Sequence, residues 1–210
     1  MLSKCLYAAV AAVGLLAGVG TAAASPAHSA HAARSVAARA ATTAISNGSF
    51  ETPIARPILS FGAGQAIGQW QVESGTVDLL GKGFWQAAEG DQSVDLNGYT
   101  AGVLSQTFMT EPGTKYTVTY SLSGDPAGPP TVKTGKVLID GQNVQDFSFD
   151  VTGKTFTDMG WVPRQFTFTA SGTATKLTFT STVPDSWGPV IDDVKVKDCS
   201  CGGCSSNSCG

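Results

Sequence analysis

From Ile45 to Asp198 apolar residues recur at every second position. Tyr116, Val118, Tyr120 and Leu122 alternate with Lys115, Thr117, Thr119 and Ser121. Phe166 and Phe168 alternate with Gln165, Thr167 and Thr169, and Leu177 and Phe179 with Lys176, Thr178 and Thr180. Successive side chains of a strand point to opposite faces, so each run has one face to bury and one to wet. That pattern belongs to antiparallel sheets packed on one side. Asn97-Gly98, Glu111-Pro112-Gly113, Gly124-Asp125-Pro126, Asp140-Gly141 and Ser171-Gly172 separate the runs and read as turns. The runs predict strands near 68–73, 76–80, 92–96, 102–109, 115–123, 135–140, 144–150, 163–170, 175–182 and 189–197. No stretch keeps helical spacing. The expected fold is all-β, an antiparallel two-sheet β-sandwich or jelly roll.

The flanks have a different character. Residues 1–24 carry one basic residue, Lys4, then the apolar run Leu6 to Gly20, and end in Thr21-Ala22-Ala23-Ala24. This is the layout of a secretory signal peptide, and the apolar run is short for a membrane span. No second long apolar segment follows, so no span is expected in the mature chain. Residues 25–44 are an Ala-rich leader with His28 and His31 and with little to bury. Residues 199–210 form a Cys-rich tail holding Cys199, Cys201, Cys204 and Cys209. In an exported protein these are disulfide candidates, within the chain or between chains. Their spacing also suits a Zn²⁺ held by four thiolates. The sandwich, residues 45–198, has no cysteine and must be held by packing.

Composition narrows the function. Lys and Arg number 13 against 16 Asp and Glu, a net charge of −3, which argues against nucleic acid as a partner. Residues 45–198 contain no His and no Cys, so Ser-His-Asp and Cys-His catalysis are excluded there. A glycosidase needs two carboxylates across the scissile bond. Glu51, Glu73, Glu89 and Glu111 exist, but nothing in the sequence pairs them in one cleft.

Several segments follow one another along the chain: Ile45-Ser46-Asn47-Gly48-Ser49-Phe50-Glu51, Gly68-Gln69-Trp70-Gln71-Val72, Gly75-Thr76-Val77-Asp78, Glu89-Gly90-Asp91-Gln92-Ser93-Val94-Asp95-Leu96-Asn97-Gly98, Ser105-Gln106-Thr107-Phe108, Pro112-Gly113-Thr114-Lys115-Tyr116, Met159-Gly160-Trp161 and Gly188-Pro189-Val190-Ile191-Asp192-Asp193-Val194. In this order they resemble the bacterial choice-of-anchor C family, itself similar to plant cell-wall proteins of a domain-of-unknown-function class. The resemblance implies a galactose-binding-like sandwich, exported and attached to a surface. The usual anchors are missing, and the Cys-rich tail takes their place.

The expected function is therefore an exported, non-catalytic carbohydrate-binding or cell-envelope module, with extracellular polysaccharide as partner. A structural or adhesive protein cross-linked through the tail is the alternative, and a glycan hydrolase or esterase comes last. Sugar rings stack on aromatic faces. Trp85, Tyr99 and Trp187 sit in loop-like runs and Trp161 follows Met159-Gly160, which makes these four the ligand-binding candidates. Trp70 lies in a strand run and reads as core. Glu51 and Asp192 would meet if the first and last strands lie side by side. There they would hold a structural Ca²⁺, as in carbohydrate-binding modules with a similar opening and closing, or only bind turn amides. Asp193 points to the other side of its strand and is the weaker ligand.

Overall fold

The structure is a computed structural model that describes residues 45–199. The signal peptide, the leader, and Cys201, Cys204 and Cys209 lie outside the described residues. Twelve strands form: β1 (Ile58–Gly62), β2 (Ala66–Ile67), β3 (Trp70–Ser74), β4 (Thr76–Leu80), β5 (Ser93–Asp95), β6 (Val103–Met109), β7 (Lys115–Gly124), β8 (Val132–Ile139), β9 (Gln142–Asp150), β10 (Val162–Thr169), β11 (Ala174–Ser181) and β12 (Pro189–Asp198). They make two six-stranded sheets, ordered β1-β4-β5-β12-β7-β10 and β2-β3-β6-β11-β8-β9. All pairings are antiparallel. Among the described residues there is no helix. The all-β two-sheet sandwich is as the alternation requires.

The alternating apolar faces meet between the sheets. Trp70, Phe50 and Phe179 are fully buried there, with Phe50 5.4 Å and Phe179 6.1 Å from the Trp70 ring. The Trp70 Nε1–H donates to the Asn47 carbonyl at 3.0 Å, which satisfies its one polar group. Val77, Leu79, Val94, Leu122 and Ile191 cover this core from the first sheet, and Leu104, Val137 and Leu177 cover it from the second.

The outward face of the first sheet is not simply wet. Ser60, Asp78, Asp95, Val190 and Ser123 stand opposite one another across five strands, so their side chains share that face. Leu80, Trp85, Met159 and Val190 form a second buried cluster, with Phe84 and Trp161 against it. The segments 81–91 and 151–161 bring these aromatics over the sheet. They are tied by Gln86 N–H to the Phe156 carbonyl at 2.8 Å and Trp161 Nε1–H to the Gln86 carbonyl at 2.9 Å. Two strands were not expected, β1 and β2. Ile58-Leu59-Ser60-Phe61-Gly62 lies at a sheet edge and shows no alternation of burial, and β2 has two residues.

Candidate functional site

Three loops meet at one end of the sandwich: 96–102 after β5, 125–131 between β7 and β8, and 182–188 between β11 and β12. Asn97 joins the first to the third. Its Nδ2 donates to the Val183 carbonyl at 2.8 Å and to the Asp185 carbonyl. Asp125 N–H donates to the Gly188 carbonyl at 2.9 Å, joining the second to the third. The Trp187 ring lies against Gly128 so closely that a side chain at 128 would enter it. Thr76 fixes the first loop from below, its Oγ1 accepting from Tyr99 N–H at 2.7 Å and Thr100 N–H at 3.0 Å. On this fixed backbone the Tyr99 ring is 76% exposed.

The apex rests on a buried polar network. Asp95 Oδ1 accepts from Asn97 N–H at 2.7 Å, and Lys133 Nζ donates to the Gly128 carbonyl at 2.6 Å. Burial holds the Asp95 carboxyl well above its ordinary range, and the nearby Asp125 adds to the effect. Burial lowers Lys133, while Asp125, Asp95 and Asp185 pull it back up. Burial also raises Asp125, against the bond it accepts from Ala127 N–H at 2.7 Å.

The structure divides the four aromatic candidates into two pairs. Tyr99 and Trp187 belong to the apex. Trp85 is only 7% exposed; its Nε1–H donates to Ser93 Oγ at 2.8 Å, and its ring packs on Phe84 at 5.3 Å and Phe156 at 6.1 Å. It has no free face for a sugar and is corrected here to a packing residue. The loop-like run around it is real, but that loop is folded onto the sheet because Leu80 and Val190 need a cover. Trp161 is half-buried in the same cluster.

Glu51 and Asp192 converge on one turn. Glu51 Oε1 accepts from Asp91 N–H at 2.9 Å and Gln92 N–H at 3.0 Å. Asp192 Oδ2 accepts from Ala88 and Glu89 N–H, both at 2.9 Å, and its Oδ1 accepts from Asp193 N–H at 2.6 Å. Burial pushes Asp192 up to about 7 in spite of these three donors. Asp193, on a bulge, instead pairs with Lys195 at 2.6 Å. Cys199 Sγ lies 3.3 Å from Thr117 Oγ1.

An open cleft of about 660 Å³ beside this turn was not foreseen; Glu51, Ile54, Arg56, Pro57, Lys82 and Asp91 line it. Ile54 is 65% exposed there, and Lys82 pairs with Asp91 at 3.1 Å. The available signal was an isolated Ile54 between Pro53 and Pro57, which has no alternating partner. Among the described residues no aromatic ring lines the cleft.

The fold and its apex define a β-sandwich domain that presents aromatic side chains from loops at one end. The chain belongs to the family described as "Protein of unknown function (DUF642)", which residues 43–197 match. Halomucin of Haloquadratum walsbyi is 36% identical over 138 residues; the match takes in 64% of this chain and 1% of halomucin, so the chain spans a very small part of that relative. Solved structures of similar fold include carbohydrate-binding modules. TmCBM61 in complex with β-1,4-galactotriose is 20% identical, with a TM-score of 0.47 over 73% of this chain and 97% of that one. The CBM22-1 xylan-binding domain of Paenibacillus barcinonensis Xyn10C is 18% identical, with a TM-score of 0.46 over 67% and 92%. A family 35 module from Clostridium thermocellum is 14% identical, with a TM-score of 0.41 over 66% and 90%.

Proposed function

We propose that this chain is an exported, non-catalytic module that binds polysaccharide at the cell envelope through its apex. The observation that carries the reading is Tyr99, a large ring 76% exposed on a loop whose backbone is held by Thr76 and Asn97. A fixed, exposed aromatic offers a stacking face at low entropic cost. Trp187 adds a second ring in the neighbouring loop. The absence of His between residues 45 and 198 fits binding without turnover. The choice-of-anchor C resemblance, with its implied surface attachment, belongs to the same reading. So does a structural Ca²⁺ between Glu51 and Asp192, through the resemblance of the opening and closing segments; the bonds that both carboxylates accept from amides of residues 88–92 are those of the alternative, in which they only bind turn amides.

The test is affinity electrophoresis of the full chain through galactan, xylan, cellulose and pectin. Retention on at least one, lost in Tyr99→Ala and in Trp187→Ala with unchanged circular dichroism, is expected. Absence of retention by folded protein on a broader glycan array sinks the reading. Retention that survives both substitutions but disappears in Ile54→Ala moves the site to the cleft.

A further inference from the structure

Beneath the apex loops lies a corner of oxygen atoms in which Asp95 Oδ1 and Oδ2 accept from Asn97 N–H at 2.7 Å and Gly188 N–H at 3.5 Å, while two further oxygens are left without a donor. Asp78 and Asp95 stand directly opposite on β4 and β5 and share the outward face. Like charges in that relation repel. Asn97, 1% exposed, sits two residues beyond Asp95. Its Nδ2 donates to two carbonyls, which fixes the amide: turned over, its oxygen would face both of them. The Oδ1 therefore points the other way, toward Asp95. A methyl group on Gly188 would lie within 2.6 Å of both Asn97 Oδ1 and Asp95 Oδ1. Glycine at 188 keeps that gap open, and the two oxygens are less than twice that distance apart. Among the described residues Asn97 Oδ1 has no hydrogen-bond partner, and neither has the buried Oδ1 of Asp78, whose carboxyl group is otherwise hydrogen-bonded by the Ser60 side chain. Asp78 Oδ1 lies 2.9 Å from where a methyl on Gly98, the residue after Asn97, would sit.

The charges agree with the geometry. Asp95 is within electrostatic reach of Asp125 and Asp78, and the buried Lys133 faces Asp125 and Asp95. Four carboxyl groups, Asp78, Asp95, Asp125 and Asp185, share the neighbourhood with one ammonium, Lys133, so their ionised forms exceed it in charge, and burial disfavours those forms at Asp78, Asp95 and Asp125. Unpaired charge away from water is costly, and a divalent cation would cancel this excess. Donors that are all oxygen suit a hard cation. Ca²⁺ accepts irregular sets at about 2.3–2.6 Å, so two oxygens sharing it stand up to about 5.2 Å apart.

We propose that Asp78, Asp95 and Asn97 form a Ca²⁺ site where β4, β5 and the 96–98 turn meet, with water completing the coordination. Among the described residues no three His, Cys, Asp or Glu side chains converge, so the amide oxygen of Asn97 is what completes this set. Asp78 is half-buried and opens the corner to solvent. The ion would grip the residue that ties loop 96–102 to loop 182–188 and so stiffen the apex. The inference does not depend on sugar binding, and its residues are distinct from Glu51 and Asp192.

Isothermal titration of the full chain with Ca²⁺, after chelator treatment and desalting, tests it alongside Glu51→Gln, Asp78→Asn and Asp95→Asn. Glu51→Gln should still bind Ca²⁺. Asp78→Asn and Asp95→Asn should each bind one ion fewer than wild type, or bind it at least tenfold more weakly. Asp78 is half-buried, so Asp78→Asn serves if Asp95→Asn fails to fold. Wild-type stoichiometry and affinity in Asp78→Asn overturn the proposal, as does Ca²⁺ binding abolished by Glu51→Gln. Absence of Ca²⁺ binding by the folded wild-type chain also overturns it; a melting temperature that then falls as pH rises, and that Asp95→Asn raises, shows that a proton on Asp95 fills the gap to Asn97 instead.

Discussion

Replacing Trp85 by Ala tests whether the 81–91 segment is a cover for the sheet or a binding loop. The ring is 7% exposed, is flanked by Phe84 at 5.3 Å and Phe156 at 6.1 Å, and shares its cluster with Leu80, Met159 and Val190. Removing a buried aromatic costs about 3–5 kcal/mol through lost transfer energy and the cavity left behind. The Ser93 hydroxyl, fully buried, also loses its donor. At about 2–4 °C per kcal/mol for a domain of this size, the melting temperature should fall by roughly 6–20 °C. Trp85→Phe separates the two contributions: it keeps most of the packing and loses the hydrogen bond, at a cost of about 1–3 kcal/mol. Urea denaturation followed by fluorescence is the assay, with a lower midpoint at unchanged slope as the expected form. Tyr99→Ala is the comparator, within about 0.5 kcal/mol of wild type, because an exposed ring contributes little to the fold. A Trp85→Ala protein as stable as Tyr99→Ala would refute the packing assignment and return Trp85 to the binding candidates.

Gly188→Ala should destabilise by about 1–3 kcal/mol, since its methyl meets Asn97 and Asp95 oxygens that are themselves fixed by backbone bonds; a neutral melting shift would contradict this. Glu51→Ala should cost about 1–3 kcal/mol by withdrawing the acceptor from the Asp91 and Gln92 amides, and chemical denaturation reads it. Lys176, 2.6 Å from Glu73, and Ser105 hold the Glu73 carboxyl below its ordinary value. The stability from that depressed value is present above the unfolded pKa and is lost as pH falls through the folded one. Both partners are exposed, so Lys176→Ala should cost less than about 1 kcal/mol near neutral pH, and nothing in strong acid or high salt. A cost that persists in high salt would point to the packing of the Lys176 stem instead.

The sandwich was legible because its strands are long enough to show two full alternations, as in β7 and β11. It was illegible where an element is shorter than its own signal, as in β2, or where a strand lies at an edge and packs little more than Phe61 against the core, as in β1. The site was less legible for a different reason. Periodicity assigns each residue a face but leaves open which strand lies next to which, so Trp85 in an exposed-looking run could not be seen to close over Leu80 and Val190. Glu51 and Asp192 could be joined in sequence because first and last segments of a sandwich are natural neighbours, yet the 88–92 turn between them was invisible. Asp78 and Asp95 are seventeen positions apart, and no local pattern marks them as a pair. Only the register of β4 on β5 sets one carboxylate opposite the other, and only the turn after β5 brings the Asn97 amide over them. The residues that carry the most charge chemistry in this domain are therefore those whose relation depends on sheet pairing. The exposed loop that carries Tyr99 could be placed from the Asn97-Gly98 turn that precedes it.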